Sequence, residues 1–600
     1  MLPFSSSTWT RRAVLLGSAG AMATLAKSSL SQRTGTEDSN WPKWAPEPDR
    51  LYEQITQLAR KQGRDIRSFG VQANGTHDDS EAFARAIASG AAVLCLPALS
   101  KAAIRLTRQI EIRRPLIIVG EGDSSLIIWE GREPSPFLAR PPDDMPTSFL
   151  NNVRVHAVRV VRPDSKPIGT AILQAYNVRN LSLTRCSTSR MGGLVVRHMR
   201  QFNRQYDRGS GSRESDPAVV SGFDADRVDD LNEDIAVYDN RIDAGEYMKN
   251  VVRFDFAKRV AVVGNQGRFA NISWWGGGAK ISEGGHTRFL RRVRDVYITH
   301  NTLSGANGGI YGNNGDGILV AYNDISMMTD VGIDFEGCFN ALAHHNVVRN
   351  VGNFCYATFY AAKNVVFRDN YGLQDGGGTN LHLVFGKGRY GAMQGRTLLA
   401  LRSAGFGSLP AAIDVSFINN HFVWTGAGGL GNCLPSYWDH LRLEGNRFEN
   451  VECNLAYVRT RELEIVGNRL SFDRPGEKPV RALGGSADRT LIADNEIRIT
   501  AKQPKDSIAI LDRGDTPAHA SEIYGNRVIA SGEAGECPAV LVLPANGTRN
   551  SSVTGNRISA IHATDPSRTK ADNNVDLHGR PIGITPIPEG LLAPAPKKSG

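Results

Sequence analysis

The sequence predicts an all-β chain in which short parallel strands stack into a solenoid. Three observations carry that prediction. First, 600 residues exceed what one compact core holds, so the chain is either several domains or a repeat array whose core grows with length. Second, 62 glycines, frequent Asn and few long apolar runs suit short strands with tight turns rather than packed helices. Third, a strand ending in Asn recurs along the body, as at Asn240, Asn265, Asn301, Asn323, Asn370, Asn446, Asn468 and Asn526.

The central asparagines give the period. From Asn301 to Asn323, Asn346 and Asn370 the steps are 22, 23 and 24 residues, and Asn446, Asn468, Asn495, Asn526 and Asn556 continue the series with longer loops. An Asn at one bend of every coil tolerates left-handed backbone geometry and carries both a donor and an acceptor, so its amide can bond to the copy in the next coil. The preceding strands alternate with period two, which excludes helical solenoids, and the leucine pattern of leucine-rich repeats is missing.

The ends read differently from the body. Thr10-Arg11-Arg12 precedes a mildly apolar, Gly/Ala-rich stretch from Ala13 to Ala26, and the first acidic residue is Glu37. This pattern reads as a twin-arginine signal peptide over residues 1–26, with a general secretory signal as the alternative; either expectation exports the chain to the periplasm or beyond. The apolar stretch is too short to span a bilayer, and no later segment reaches that length. Residues 27–50 read as a linker, 51–560 as the solenoid, and the Pro-rich residues 561–600 as a flexible tail without strands.

Seven cysteines (95, 186, 338, 355, 433, 453 and 537) are scattered without CxxC pairing, so the sequence predicts buried thiols rather than a disulfide framework. The formal charge of +9, or +7 after loss of Arg11 and Arg12, favours anionic partners, whereas no arginine-rich tract with interleaved aromatics points to nucleic acid.

The stretch from Phe69 to Ile87 (FGVQANGTHDDSEAFARAI), followed by Val93–Pro97 (VLCLP) and Ile117–Gly122 (IIVGEG), resembles the opening of the pectate-lyase-superfamily β-helix domain. In that family an FGA-x-G-D-G-x-x-D-D-T stretch leads into a capping helix and the first strands. The resemblance is close from Phe69 to about Trp129 and continues to Asn556 through the coil pattern alone. It implies a single-stranded, right-handed parallel β-helix with an N-terminal capping helix, acting on a polysaccharide. Asp78 and Asp79 then stand at the helix N-terminus as capping carboxylates rather than catalytic ones.

Within the coils, Ile310, Ile333 and Ala357 each precede a ladder asparagine by 13 residues. That register turns Ile333 and Phe335 inward and leaves Asp334 and Glu336 on one outer face. It sets Tyr311 and Thr358 beside Asp334, and Asn313 and Tyr360 beside Glu336. Two carboxylates on one strand suit general acid–base chemistry, and Asp316 and Asp330 on adjoining loops add crowding that raises one pKa. Trp274, Trp275, Tyr311, Tyr356 and Tyr360 are candidates to stack on sugar rings, with core packing the alternative for Tyr356 and anchoring of a loop the alternative for the Trp274-Trp275 pair.

Three function classes follow. A glycoside hydrolase, slightly favoured, uses Asp334 and Glu336. A lyase acting on a uronate glycan draws a base and a neutralising group from Tyr360, Lys363, His286 and Arg368, with Arg368 the weaker choice because it lies on the next face. A noncatalytic glycan-binding β-helix is the third. The resembling family's polygalacturonase-type members carry an adjacent D-D pair and G-H-G and R-x-K motifs; Gly332–Gly337 (GIDFEG) matches only their N-x-D strand, and Gly284-Gly-His286 is a poor substitute for G-H-G.

No cofactor is expected. Asp224 to Asp230 with Glu233 and Asp234 offers oxygen ligands suited to calcium but lacks an EF-hand pattern and reads as an exposed loop. His344-His345 lacks a third ligand and, on a straight strand, its rings face opposite ways. Replacing Arg11 and Arg12 together with Lys is expected to hold precursor in the cytoplasm, read as unprocessed protein on a fractionation blot; unchanged secretion points to the general secretory route.

Overall fold

The computed structural model describes residues 41–99, 102–145, 148–198, 231–245, 249–276, 279–281, 287–289, 292–359, 362–376, 397–402, 413–434, 438–455, 460–485, 487–504, 506–513, 519–531, 540–543, 551–589 and 591. The expected signal segment 1–26, the acidic run 224–230, Cys537, His286 and Tyr360 lie outside these residues. The chain forms two units, 1–45 and 46–600. In the first, Trp41 Nε1 donates to the Ala45 carbonyl at 2.8 Å. The second is a parallel β-helix.

Each full coil contributes three strands, as in Val331–Glu336, Phe339–His344 and Val347–Arg349. Each pairs in parallel with its counterpart one coil away, so the strands build three long faces, called first, second and third here. Inward residues fill one continuous core, from Phe83 at the N-terminal end through Phe335 and Phe367 to Ile561. Near the middle, aromatic rings stack along the axis, with Phe367 and Phe417 4.8 Å apart and nearly parallel.

The asparagine ladder lies at the bend between the second and third faces. Asn323 Nδ2 donates to Asn346 Oδ1 at 2.9 Å, and Asn346 Nδ2 to Asn370 Oδ1 at 3.0 Å. The same oxygens accept the backbone N–H groups of Asn323 and Asn346, each at 3.0 Å. The series runs from Asn240 to Asn574 and includes Asn420 and Asn574, which the spacing argument passed over because their steps are 50 and 18 residues. The residue before each ladder Asn is in the left-handed region, filled by Gly264, Asp369, Asn419 and Gly445 but also by His300, Tyr322 and His345. Bulky residues enter that region at a cost. Here the three rings stack on one another, at 5.2 Å for His300 with Tyr322 and 5.0 Å for Tyr322 with His345, which offsets it. The turn at His345 also overturns the expected opposition of the histidine pair: the Nδ1 atoms of His344 and His345 are 2.9 Å apart.

Two boundaries differ from expectation. Helix Pro48–Gln62 begins inside the expected linker, starts on proline and buries Leu51, Tyr52 and Ile55. Tyr52 donates to Asp239 at 2.8 Å and packs under Arg185 and beside His156, so the helix covers outward positions of the second face. At the other end, Ala560–Ala563, Thr569–Asp572 and Ile584–Pro586 are strands, not flexible tail. They pair with a ready-made sheet edge, which supplies backbone partners whatever the local composition.

Helix Ser80–Ala88 is the expected cap, and its end of the chain is folded by carboxylates as predicted, though by a different geometry. Asp79 accepts from the backbone of Gln72 and Ala73, tying the preceding loop. Asp78 accepts from Ser80 and Thr107; burial opposes its ionisation, but these bonds prevail and hold its pKa at about 2. The six described cysteines are unbridged, and five of them are buried as expected.

The ladder carries a direct stability test. Asn346 is fully buried, and truncation to Ala strands the groups that its amide serves in two neighbouring coils. Asn346→Ala is expected to cost at least about 2 kcal/mol, since each buried group left unpaired costs ~1–3 kcal/mol, measured by urea unfolding.

Candidate functional site

The site strand is Val331–Glu336 on the first face. Its alternation does what the sequence predicted: Ile333 and Phe335 are fully buried in the core, and Asp334 and Glu336 point outward. On the N-terminal side, Tyr311 stands beside Asp334 and Asn313 beside Glu336, as read from the spacing.

On the C-terminal side the expected register is wrong by one residue. Ala357 pairs with Asp334 and Phe359 with Glu336, while Thr358 points inward and is 1% exposed. Tyr356, not Ala357, is the counterpart of Ile333, and it precedes Asn370 by 14 residues. The extra residue lies beyond the strand, so counting backward from the ladder misplaces it. Tyr356 is core, its hydroxyl donating toward the carbonyls of Asn346 and Tyr371. The described strand stops at Phe359, and the proposed flank of Tyr360 falls outside the described residues.

Other expected members are corrected as well. Trp274 is fully buried between Phe254 and Phe335 and offers no ring to a ligand. Asp316 lies at the start of the second-face strand Gly315–Ala321, where Asn340 donates to it at 2.8 Å and Asn364 in turn donates to Asn340. Lys363 is exposed on the same face, at the start of Lys363–Arg368, so neither residue joins the carboxylate pair. Asn313 is 5% exposed, and its Oδ1 accepts the N–H of Gly276, a structural anchor for the chain leaving Trp275. Glu233, expected in an acidic loop, lies on the strand Asn232–Tyr238 and is paired with Lys258 and Arg259.

Trp275, by contrast, is partly exposed on the outer face, with Arg253 5.4 Å from its ring centre. Arg253 grips the buried Asp255 through two nitrogens, at 3.1 Å each. Asp255, Trp275, Asn313 and Glu336 form one outward row across four coils. A second row was not seen in the sequence: Asn271 donates to Asn307 at 2.7 Å, and both reach the Tyr311 hydroxyl. Asp330 extends it, accepting from Asn353 at 2.7 Å. These residues stand two or four positions before their strand's outward pair, an offset that the asparagine spacing does not mark.

Asp334 is outward from the coil yet only 3% exposed, and its Oδ1 has no hydrogen-bond partner. Val331, Phe354 and Ala357, packed with Tyr311 and Phe359, form an apolar cluster around it. Burial first, then the charges of Glu336 and Asp330, push the Asp334 carboxyl well above the usual carboxylate range. Glu336 stays partly exposed. Beyond it, the buried Arg292 donates to the carbonyls of Gly315 and Gly337 and lies over Phe339, which fixes the bend. Among the described residues no three metal-ligating side chains converge.

Residues 252–382 match the family described as a right-handed β-helix region. This is a right-handed parallel β-helix protein. The β-helix resembles a tailspike protein mutant of E. coli bacteriophage HK620 in complex with a pentasaccharide, at 10% identity and a TM-score of 0.47, over 80% of this chain and 81% of that one. It is also similar to the family 28 exopolygalacturonase of Yersinia enterocolitica, at 10% identity and TM-score 0.39, covering 88% and 79%. A third likeness is to PfbA, a surface adhesin of Streptococcus pneumoniae, at 10% identity and TM-score 0.37, covering 81% and 92%. No curated protein matches the sequence. At such identities the likeness of this β-helix protein to the three is one of fold.

The shielding of Asp334 predicts a pH signature. An acid whose folded pKa is raised binds its proton more tightly in the native state, so its contribution is fully present below its unfolded value, near 3.8, and is lost as pH rises through the folded value. Asp334→Asn is therefore expected to melt close to wild type at pH 4 and above wild type at pH 8, measured by thermal unfolding across that range. A solvent-exposed carboxylate would show no such divergence.

Proposed function

We propose that this β-helix protein is an exported enzyme that cleaves glycosidic bonds of a polysaccharide by hydrolysis, with Asp334 as general acid and Glu336 as general base. The observation that carries this reading is the unequal environment of two carboxylates on one strand. Asp334 is shielded, unpartnered at Oδ1 and driven toward its protonated form, while Glu336 is partly exposed. Paired acids whose surroundings separate their protonation states are the arrangement that acid–base hydrolysis needs. Residues two apart on a strand have Cα atoms ~6.6 Å apart, which fits the ~6.5–9.5 Å carboxyl separation of an inverting glycosidase.

In this mechanism the substrate lies along the first face. Glu336 takes a proton from the water that attacks the anomeric carbon, and Asp334 gives its proton to the leaving oxygen as the glycosidic C–O bond breaks. Trp275, two coils away, offers a partly exposed ring for a further sugar, and Tyr311 holds the edge of the acid's enclosure. The face over Asp334 is closed, so substrate binding has to part the apolar cluster around it. That closure favours the second reading, a noncatalytic glycan-binding β-helix. A lyase would draw on Tyr360 or His286, since Lys363 and Arg368 stand on the second face.

The test is a panel of polysaccharides with product read two ways. A hydrolase releases reducing ends alone, whereas a lyase also creates an unsaturated product that absorbs in the ultraviolet. Asp334→Asn and Glu336→Gln are each expected to lower the rate ~10²- to 10⁴-fold on the cleaved glycan. Tyr360→Phe is expected to keep most of the rate. Unchanged activity in both carboxylate variants removes this strand from catalysis, and glycan binding without any cleavage supports the noncatalytic reading.

A further inference from the structure

The third face of the C-terminal coils carries a row of arginines. Its first outward position holds Arg447, Arg469, Glu496, Arg527 and Arg557 in successive coils, in register. All four arginines are exposed, as is Arg498, two positions after Glu496. Two doublets therefore set like charges side by side on neighbouring strands, Arg447 with Arg469 and Arg527 with Arg557. Neighbouring strands lie ~4.8 Å apart, and like charges directly opposed on a sheet are destabilising.

Local carboxylates relieve only part of this. Arg447 meets Glu449 at 2.6 Å, and Arg498 meets Glu496 at 3.4 Å. Arg557 donates to the Leu577 carbonyl, which carries no net charge. Arg469 and Arg527 form no ion pair with any described residue. Asp494 and Asp473 stand at the adjoining bends, and Asp473 is engaged by Asn450. The second face of nearby coils is arranged differently: Arg442 pairs with Glu444, Arg489 with Glu462, and His440 with Asp414. In the N-terminal coils the third face also pairs its charges, Arg241 with Asp123, Arg268 with Asp243 and Arg349 with Asp324. Among the described residues, the third face of these C-terminal coils thus holds arginines in register that have no ion-pair partner.

We propose that this arginine row binds a linear anionic polysaccharide running along the solenoid axis, with each doublet gripping one acidic group of the chain. A guanidinium pair in fixed register matches a carboxylate or sulfate, and the ligand's charge removes the repulsion that the doublet carries in the free protein. The two doublets are separated by Glu496, so the spacing along the chain suits periodic charge rather than a single anion. The row lies on a different face from Asp334 and Glu336 and does not rest on the catalytic reading.

The experiment measures binding of the full-length protein to polygalacturonate, with dextran as a neutral polymer and double-stranded DNA as a second polyanion. Polygalacturonate is expected to bind, with affinity falling as salt is raised from 50 to 200 mM, as for other polyanion contacts, by at least about tenfold. The Arg469→Gln/Arg527→Gln double variant is expected to weaken binding at least about tenfold, since it removes one guanidinium from each doublet. Arg241→Gln/Arg268→Gln, which removes paired arginines, is expected to change it less than about twofold. Melting curves confirm that each variant is folded, and the single Arg469→Gln and Arg527→Gln variants replace the double one if it is not. No binding of polygalacturonate, equal binding of dextran, tighter binding of DNA, or binding unaffected by the substitutions overturns the proposal.

Discussion

The structure depends on one constraint: every coil must present its backbone to the next in the same register. The asparagine ladder enforces it. Each amide serves two coils at once: the Asn346 nitrogen donates back to the Val320 carbonyl and forward to Asn370 Oδ1, while its oxygen accepts the side-chain and backbone N–H groups of Asn323. No other residue of that size is both donor and acceptor in a fixed plane. Asp would place repelling carboxylates at each step, and Ala would leave backbone N–H groups unpaired inside the coil. With the bend pinned, the three faces follow, and so do the outward rows on which any chemistry must be built.

Those rows show how a solenoid concentrates function. Residues far apart in the chain meet because each occupies the same position in its own coil, as Asp255, Trp275, Asn313 and Glu336 do. Inward neighbours set the conditions. Phe335 and Ile333 lock the strand between two carboxylates that differ in shielding, and Arg292 fixes the turn after it. Similar logic produces the arginine row on the third face, where register alone aligns charges that the sequence scatters at intervals of 22 to 31 residues.

Much of this was legible in the sequence. The ladder, the inward and outward assignment of Ile333, Asp334, Phe335 and Glu336, and the neighbours Tyr311 and Asn313 all followed from spacing and period-two alternation. The failures have physical causes. Thr358 was set outward because the count ran backward across a bend that holds one extra residue. Trp274 was a candidate for stacking because a Trp-Trp pair looks alike whichever ring turns inward. Asp316 and Lys363 were gathered toward the site because sequence does not show which side of a bend a residue falls on. The shielding of Asp334 was out of reach, since Tyr311 and Ala357 flank it from the coils on either side within one apolar cluster.

The extra residue before Asn370 has a wider consequence. It sits at the corner between the first and second faces, next to the carboxylate strand, and the ladder continues past it without a fault. The corner thus absorbs changes in chain length while the stacked asparagines do not register them. In an evolving lineage this separates what must be inherited intact from what can drift. Insertions at that rim can reshape what the neighbouring strand face recognises, coil by coil, without renegotiating the fold.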